Sequence, residues 1–172
     1  VCSSDLKMNM QKFTALTCGL VLCLGLSGCT DKNDNQSSND NTATVSLVAY
    51  DEQKDNDYTI DYKINETSTV SAFEVAYAYE NAVIVEAYAK EAVINTMTLD
   101  TNGKLVIDFK EDKVLNLGLG AAAESAVFEN LIETIVLNCP EIKTIYFTMD
   151  GGNFETGHLS FAADKAAWSK VE

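Results

Sequence analysis

The chain has 172 residues and a formal net charge of −14, with 12 lysines, no arginine, and 26 aspartates and glutamates. That balance excludes a nucleic-acid partner, because phosphate backbones are held by cationic side chains that displace counterions, and above all by bidentate arginine. It also sets the folded part against anionic lipid headgroups, so membrane attachment has to come from something other than surface charge.

Residues 1–7 fit no targeting pattern and are read as a non-native leader ahead of a start at Met8 or Met10. Lys12 then opens a short basic region. Phe13 to Leu26 is an apolar run too short and too interrupted by glycine for a comfortable spanning helix. It ends in Leu26-Ser27-Gly28-Cys29, which reads as a lipobox. Small residues directly before a cysteine are what a lipoprotein signal peptidase cleaves against, once the thiol carries a diacylglyceryl group. Residues 8–28 are therefore expected to be a signal peptide, and Cys29 the lipidated first residue of the mature chain. On this reading the protein is held at the cell membrane through the lipid on Cys29, on the extracytoplasmic face. An uncleaved anchor is the competing reading. The leader takes Lys7, Lys12 and Asp5 with it, so the mature chain is more acidic still.

Of the five cysteines, Cys2 precedes the start, Cys18 and Cys23 fall in the leader, and Cys29 is lipidated. Cys139 remains alone, so no intramolecular disulfide is expected in the mature chain. Its place at the end of an apolar helical pattern, just before Pro140, predicts a buried small hydrophobe rather than a reactive thiol. The segment 29–44 is rich in Asp, Asn and Ser, with no apolar residue over Thr30 to Thr44 able to offset the entropy of ordering, and is read as a flexible linker spanning about 20 Å. A calcium loop is rejected there, since no glycine stands at the sixth position from Asp31 and Thr42 occupies the place of the bidentate acid.

The folded domain is expected over 45–172, long enough for one compact core. Val45 to Tyr50 and Tyr58 to Ile64 read as a hairpin, the second strand having Tyr58, Ile60, Tyr62 and Ile64 on one face. Ser68 or Thr69 can cap a long helix running to about Lys90, bent near Asn81; a strand over Ala82 to Tyr88 is the alternative, because Val83-Ile84-Val85 is β-branched. Val93 to Leu99 and Lys104 to Phe109 flank Asp100-Thr101-Asn102-Gly103, where Asn-Gly suits a tight hairpin. Leu105, Ile107 and Phe109 share a face opposite Asp108. After Leu117-Gly118-Leu119-Gly120, a helix over Ala121 to Asn138 carries a broad apolar stripe of Ala121, Phe128, Leu131, Ile132, Ile135 and Val136, with Glu124, Glu129 and Glu133 off it. Pro140 ends that helix. Lys143 to Met149 alternates as a strand, Asp150-Gly151-Gly152 turns the chain, Gly157 to Phe161 can form an edge strand, and the tail from Ala162 reads as a weak helix bringing Trp168 onto the domain.

No catalytic constellation stands out. His158 is the sole histidine, there is no Gly-x-Ser-x-Gly elbow, and Ser125 and Ser160 have no distinguishing context, so His158 is read as a turn or edge residue. One histidine and one mature free cysteine make a zinc site improbable, and neither a metal nor a cofactor is expected. Asp150 with Asn153 and Glu155 could form a cation- or sugar-binding loop, though a turn after a strand explains Asp150-Gly151-Gly152 as well. Asp150, Asn153 and His158 are taken as the candidate ligand or partner contacts. The Leu117 to Gly120 loop before a helix could cradle an anion, but it lacks a third glycine and a lysine. Tyr77, Tyr79, Tyr88 and Tyr146 could stack on sugar rings or serve a protein interface.

Asn102 to Phe161 resembles the GerMN domain of sporulation and spore-germination lipoproteins. The likeness is carried by Asn102-Gly103-Lys104-Leu105-Val106-Ile107-Asp108-Phe109, Leu131-Ile132-Glu133-Thr134-Ile135-Val136, Ile142-Lys143-Thr144-Ile145-Tyr146-Phe147, Asp150-Gly151 and Gly157-His158, in that order, with Val45 to Tyr62 as the first hairpin. The segment after the first helix is shorter and less proline-rich than the family pattern, and Asn138-Cys139 replaces an acidic or aromatic pair. The resemblance implies an α+β domain, a small mixed sheet with two helices packed on one face, similar to ring-building modules of envelope secretion machines. It further implies a non-enzymatic role in envelope or sporulation-type assembly, through a protein partner or self-association. The alternative is a module that binds carbohydrate or a peptidoglycan fragment.

Overall fold

The computed structural model describes residues 42–65 and 69–171. The expected signal peptide and lipobox with Cys29, nearly all of the expected linker, and Ser68 lie outside the described residues.

β1 (Thr42–Asp51) and β2 (Asn56–Asn65) form an antiparallel hairpin in register from Thr42↔Asn65 to Asp51↔Asn56. The strand begins at Thr42, ahead of Val45. Ile60, Tyr62 and Ile64 are half-buried and alternate with exposed residues, as expected of a hairpin with one wet face. The first helix, α1 (Ala72–Tyr79), starts at Ser71 rather than Thr69, because Ser71-x-x-Glu74 supplies both halves of a capping box. The Ser71 hydroxyl accepts the Glu74 amide at 3.3 Å and the Glu74 carboxylate accepts the Ser71 amide at 2.9 Å. The chain does not turn into a strand at Ala82. It runs on as a π-helix over Glu80–Ala89, where a bend near Asn81 was expected, and closes with an i→i−5 bond from the Lys90 amide to the Val85 carbonyl at 3.0 Å. Lys90 ends it in the left-handed region at φ 59°.

The main sheet has the order β3-β4-β5-β6-β7. β3 (Ile94–Leu99) and β4 (Lys104–Phe109) are antiparallel, with a bulge between Ile94 and Thr96. β5 (Thr144–Met149) lies parallel to β4, which requires a crossover, and the helix after β4 supplies it. β6 (Gly152–Glu155) and β7 (Ser160–Phe161) extend the sheet beyond the C-terminal end of β5. The tail is not a helix. Trp168–Ser169 forms β8, paired with Ile145 and Thr144 on the part of the β5 edge that β6 leaves open. Backbone groups on that edge need partners more than the alanine-rich tail needs a helix.

The loop between β3 and β4 uses one positive φ, at Gly103 (79°), rather than the two of an Asn-Gly turn. The Asp100 carboxylate does the remaining work, accepting the Asn102 amide at 2.8 Å and the Lys104 amide at 2.9 Å. A five-residue helix, α2 (Glu111–Leu115), unforeseen in the sequence, precedes α3 (Ala121–Asn138), whose limits match the expected ones.

Leu105, Ile107 and Phe109 of β4 and Ile145 and Phe147 of β5 are fully buried on the sheet face covered by α1 and α3. The fold is thus α+β, with a mixed sheet and its two longer helices on one face. Phe109, Phe128, Phe147 and Phe154 pack mostly edge to face, with centroids 4.8–6.0 Å apart, a geometry that adds to the burial energy. The opposite face bears Lys104, Asp108 and Tyr146, with the Lys104 ammonium over the Tyr146 ring.

Candidate functional site

Two arcs of α3 are buried and the third forms a surface. Phe128, Leu131 and Ile135 join the sheet core, while Asn130, Thr134 and Asn138 hold the hairpin. The Val48 amide donates to Thr134 Oγ1 at 2.8 Å, and Asn138 takes the Ser46 amide at 3.1 Å and gives to its carbonyl at 2.8 Å. Ile132 and Val136 are only half-buried. Together with Ala167 and Trp168 they line an open groove of about 330 Å³ whose charged rim is Glu129 and Glu133. β8 fixes Trp168 there, with the Ala167 amide on the Ile145 carbonyl at 2.8 Å and the Lys170 amide on Lys143 at 2.9 Å. Leu137, one turn beyond Glu133, is 56% exposed. The sequence stripe was therefore broader than the core needed, and its surplus, Ile132 and Val136, is this groove.

A second hollow, of about 550 Å³, lies at the N-terminal end of α3 between Tyr50, Glu52, Tyr88 and the Gly118 to Ala123 backbone. The Tyr88 hydroxyl donates to Glu52 at 3.4 Å. The hydrogen bond from Tyr50 to Asp55 is the main reason that the Tyr50 hydroxyl is pushed up to about 12. Of the tyrosines singled out in the sequence, Tyr88 reaches this hollow. Tyr79 is fully buried with its hydroxyl on the Val127 carbonyl, Tyr77 is exposed, and Tyr146 lies under the Lys104 ammonium at 4.2 Å on the open sheet face. They make no common platform.

His158 lines a small cleft of about 140 Å³ with Leu115, Leu119, Glu124 and Thr156. Glu124, expected off the apolar stripe, is 8% exposed and takes a short hydrogen bond from the Thr156 hydroxyl. The His158 imidazole makes no hydrogen bond to a serine or carboxylate among the described residues. Asp150 sits in the β5–β6 turn at φ 47° with its amide on the Phe109 carbonyl, and Asn153 accepts the Ala163 amide at 3.0 Å. The structure places Asp150 and His158 beyond opposite ends of β6, so the three candidate contacts do not converge.

The hydrogen-bond roles of two carboxylates, one buried and one half-buried, escaped sequence reasoning. Glu80, 2% exposed on the π-helix, accepts the Val93 and Ile94 amides, each at 2.6 Å. Burial pushes its carboxyl above the ordinary 4.5, against the pull of those amides and of Lys110. Asp108 accepts the Thr148 hydroxyl, the Gly151 amide and the Asn95 side chain at 2.7–2.8 Å. Partial burial raises its pKa, but those three donors outweigh it and hold the group below its usual value. Cys139 is 1% exposed, and burial pushes its thiol up to about 11, as suits an inert core cysteine. Among the described residues no group of three or more His, Cys, Asp or Glu could hold a metal ion, and no helix is long and apolar enough to cross a membrane.

These features define a mixed α+β domain with an apolar, acid-rimmed groove on its crossover helix. No protein-family model matches the chain, and no curated protein matches it. Its structure is similar to the first GerMN domain of the sporulation protein GerM from Bacillus subtilis, at 14% identity over 73% of this chain and 98% of that chain, with a TM-score of 0.46. It is also similar to the tandem GerMN domains of the same protein, at 10% identity over 81% of this chain and 50% of that chain, with a TM-score of 0.47.

Proposed function

We propose that this chain is a lipid-anchored, extracytoplasmic domain of GerMN type that acts in cell-envelope or sporulation-type assembly by docking a protein, without catalysis. The observation that carries the reading is the groove of Ile132, Val136, Ala167 and Trp168 between exposed Glu129 and Glu133. Apolar side chains collected in a depression and rimmed by charge are the usual make-up of an interface centre, and tryptophan is among the residues that dominate such centres. The lipobox and the polar linker supply the anchor and the reach.

A second reading, a module for carbohydrate or peptidoglycan fragments, is favoured by the hollow between Tyr50 and Tyr88, where aromatic faces stand beside the acceptor Glu52. Sedimentation of residues 42–172 across salt, with and without peptidoglycan fragments, separates the two. Docking among copies predicts association that strengthens as salt screens the acidic surface. A melting temperature raised by the fragments supports the second reading and counts against the first, whereas a monomer that they leave unchanged is the result expected when the docked protein is a separate one.

A further inference from the structure

The groove on α3 has an unbalanced rim. Glu129 and Glu133 are four residues apart on one helix face, where like charges repel. The ion pairs among the described residues are Lys54 with Asp51 and Lys113 with Glu91 and Asp112, so neither rim carboxylate has a cationic partner within the fold. Between and beside them stand Ile132, Val136 and Trp168, half out of water.

Resting on the docking reading above, we infer that this groove takes a cationic amphipathic segment of a partner protein, with apolar side chains on Ile132, Val136 and Trp168 and lysine or arginine on Glu129 and Glu133. Charge complementarity selects this occupant over the others. A second copy of the chain, meeting the same face across a two-fold axis, sets Glu129 and Glu133 against themselves between two molecules of net charge −14. An anionic lipid surface meets the same repulsion. A helical segment with apolar residues on one face and cations flanking them meets both requirements at once, because its anchors recur at the same three- and four-residue spacing as Ile132 and Val136.

Trp168 is the single tryptophan of the sequence and lines the groove, so its emission reports on occupancy. The test is a titration of the full chain with two short synthetic helical peptides, one with leucines flanked by lysines and one with the same leucines flanked by glutamates. The expected result is a saturable blue shift of Trp168 with the lysine peptide, weakened by salt, and no shift with the glutamate peptide. Glu129→Gln with Glu133→Gln is expected to weaken the lysine peptide about threefold to tenfold. Glu129→Lys with Glu133→Lys is expected to reverse the preference. Both positions are exposed, so an unchanged urea midpoint checks that the fold persists. Equal binding of both peptides, or unaltered affinity in the glutamine variant, overturns the inference while leaving a docking groove in place. No response of Trp168 to either peptide overturns the inference and the docking reading together.

Discussion

The backbone amide of Val48 donates to the Thr134 hydroxyl at 2.8 Å, so a helix side chain occupies the strand edge that β2 leaves open. Asn138 repeats the arrangement one turn on, at Ser46. An open edge invites pairing with another chain, and here α3 uses it up. The same helix then has its opposite side left over for the groove of Ile132 and Val136. Thr134 and Ile132, two residues apart, serve folding and surface respectively.

Replacing Thr134 with Val keeps the shape and removes the acceptor, which leaves a buried amide at Val48 without a partner. The expected cost is about 1–3 kcal/mol. Urea unfolding of Thr134→Val beside Thr134→Ser measures it. Equal midpoints for the two variants would show that the edge contact contributes nothing.

Glu80 gives a pH dependence of fixed sign. Its folded-state value lies above the ordinary 4.5, so its contribution to stability is complete below that value and is lost as the pH rises through the folded one. Glu80→Gln keeps an oxygen for the Val93 and Ile94 amides and removes the buried charge. The variant is therefore expected to gain on the wild type as the pH climbs from below 4.5 to neutrality. Glu80→Ala orphans both amides and is expected to lose about 2–4 kcal/mol at low pH, a deficit that narrows as the pH rises. Denaturation midpoints against pH test both; a difference between wild type and Glu80→Gln that ignores pH contradicts the account.

Much of this architecture was legible in the chain because alternation and helical spacing are local signals. β4, β5, the hairpin of β1 and β2, and the limits of α3 follow from such patterns, and the burial of Cys139 follows from its position. The elements that escaped depend on distant partners. β8 forms because the edge at Ile145 is open, and nothing within Ala162 to Glu172 encodes that need. Carboxylates on a helix read as solvent-facing, yet Glu80 and Glu124 turn inward to donors at Val93, Ile94 and Thr156. Ile132 and Val136 read as core because periodicity marks the apolar side of α3 without saying how much of it other elements cover. Among the candidate contacts, Asn153 lies in β6, which separates Asp150 from His158.

Gly103 is held at φ 79°, and a Cβ there would stand 2.6 Å from the Glu141 carbonyl. Its own carbonyl accepts the Lys143 amide at 2.8 Å, joining the β3–β4 loop to the start of β5. Gly103→Ala is expected to cost more than about 1 kcal/mol from backbone conformation alone, before the clash is relieved. A thermal midpoint matching that of the wild type would refute this.

The proposed lipid anchor is tested at Cys29. Cys29→Ala is expected to abolish incorporation of labelled fatty acid and to release the chain from the membrane fraction. Retention of both in the variant would remove the anchor from the account.

The central claim is that the α3 groove docks a protein, and a photo-crosslinking residue placed at Val136 in cells tests it most directly. The account predicts a discrete adduct with a partner protein from Val136, lost when Ile132→Asp is added, and none from Thr98 on the exposed part of β3. Adducts absent at Val136, or the same from both positions, would contradict it.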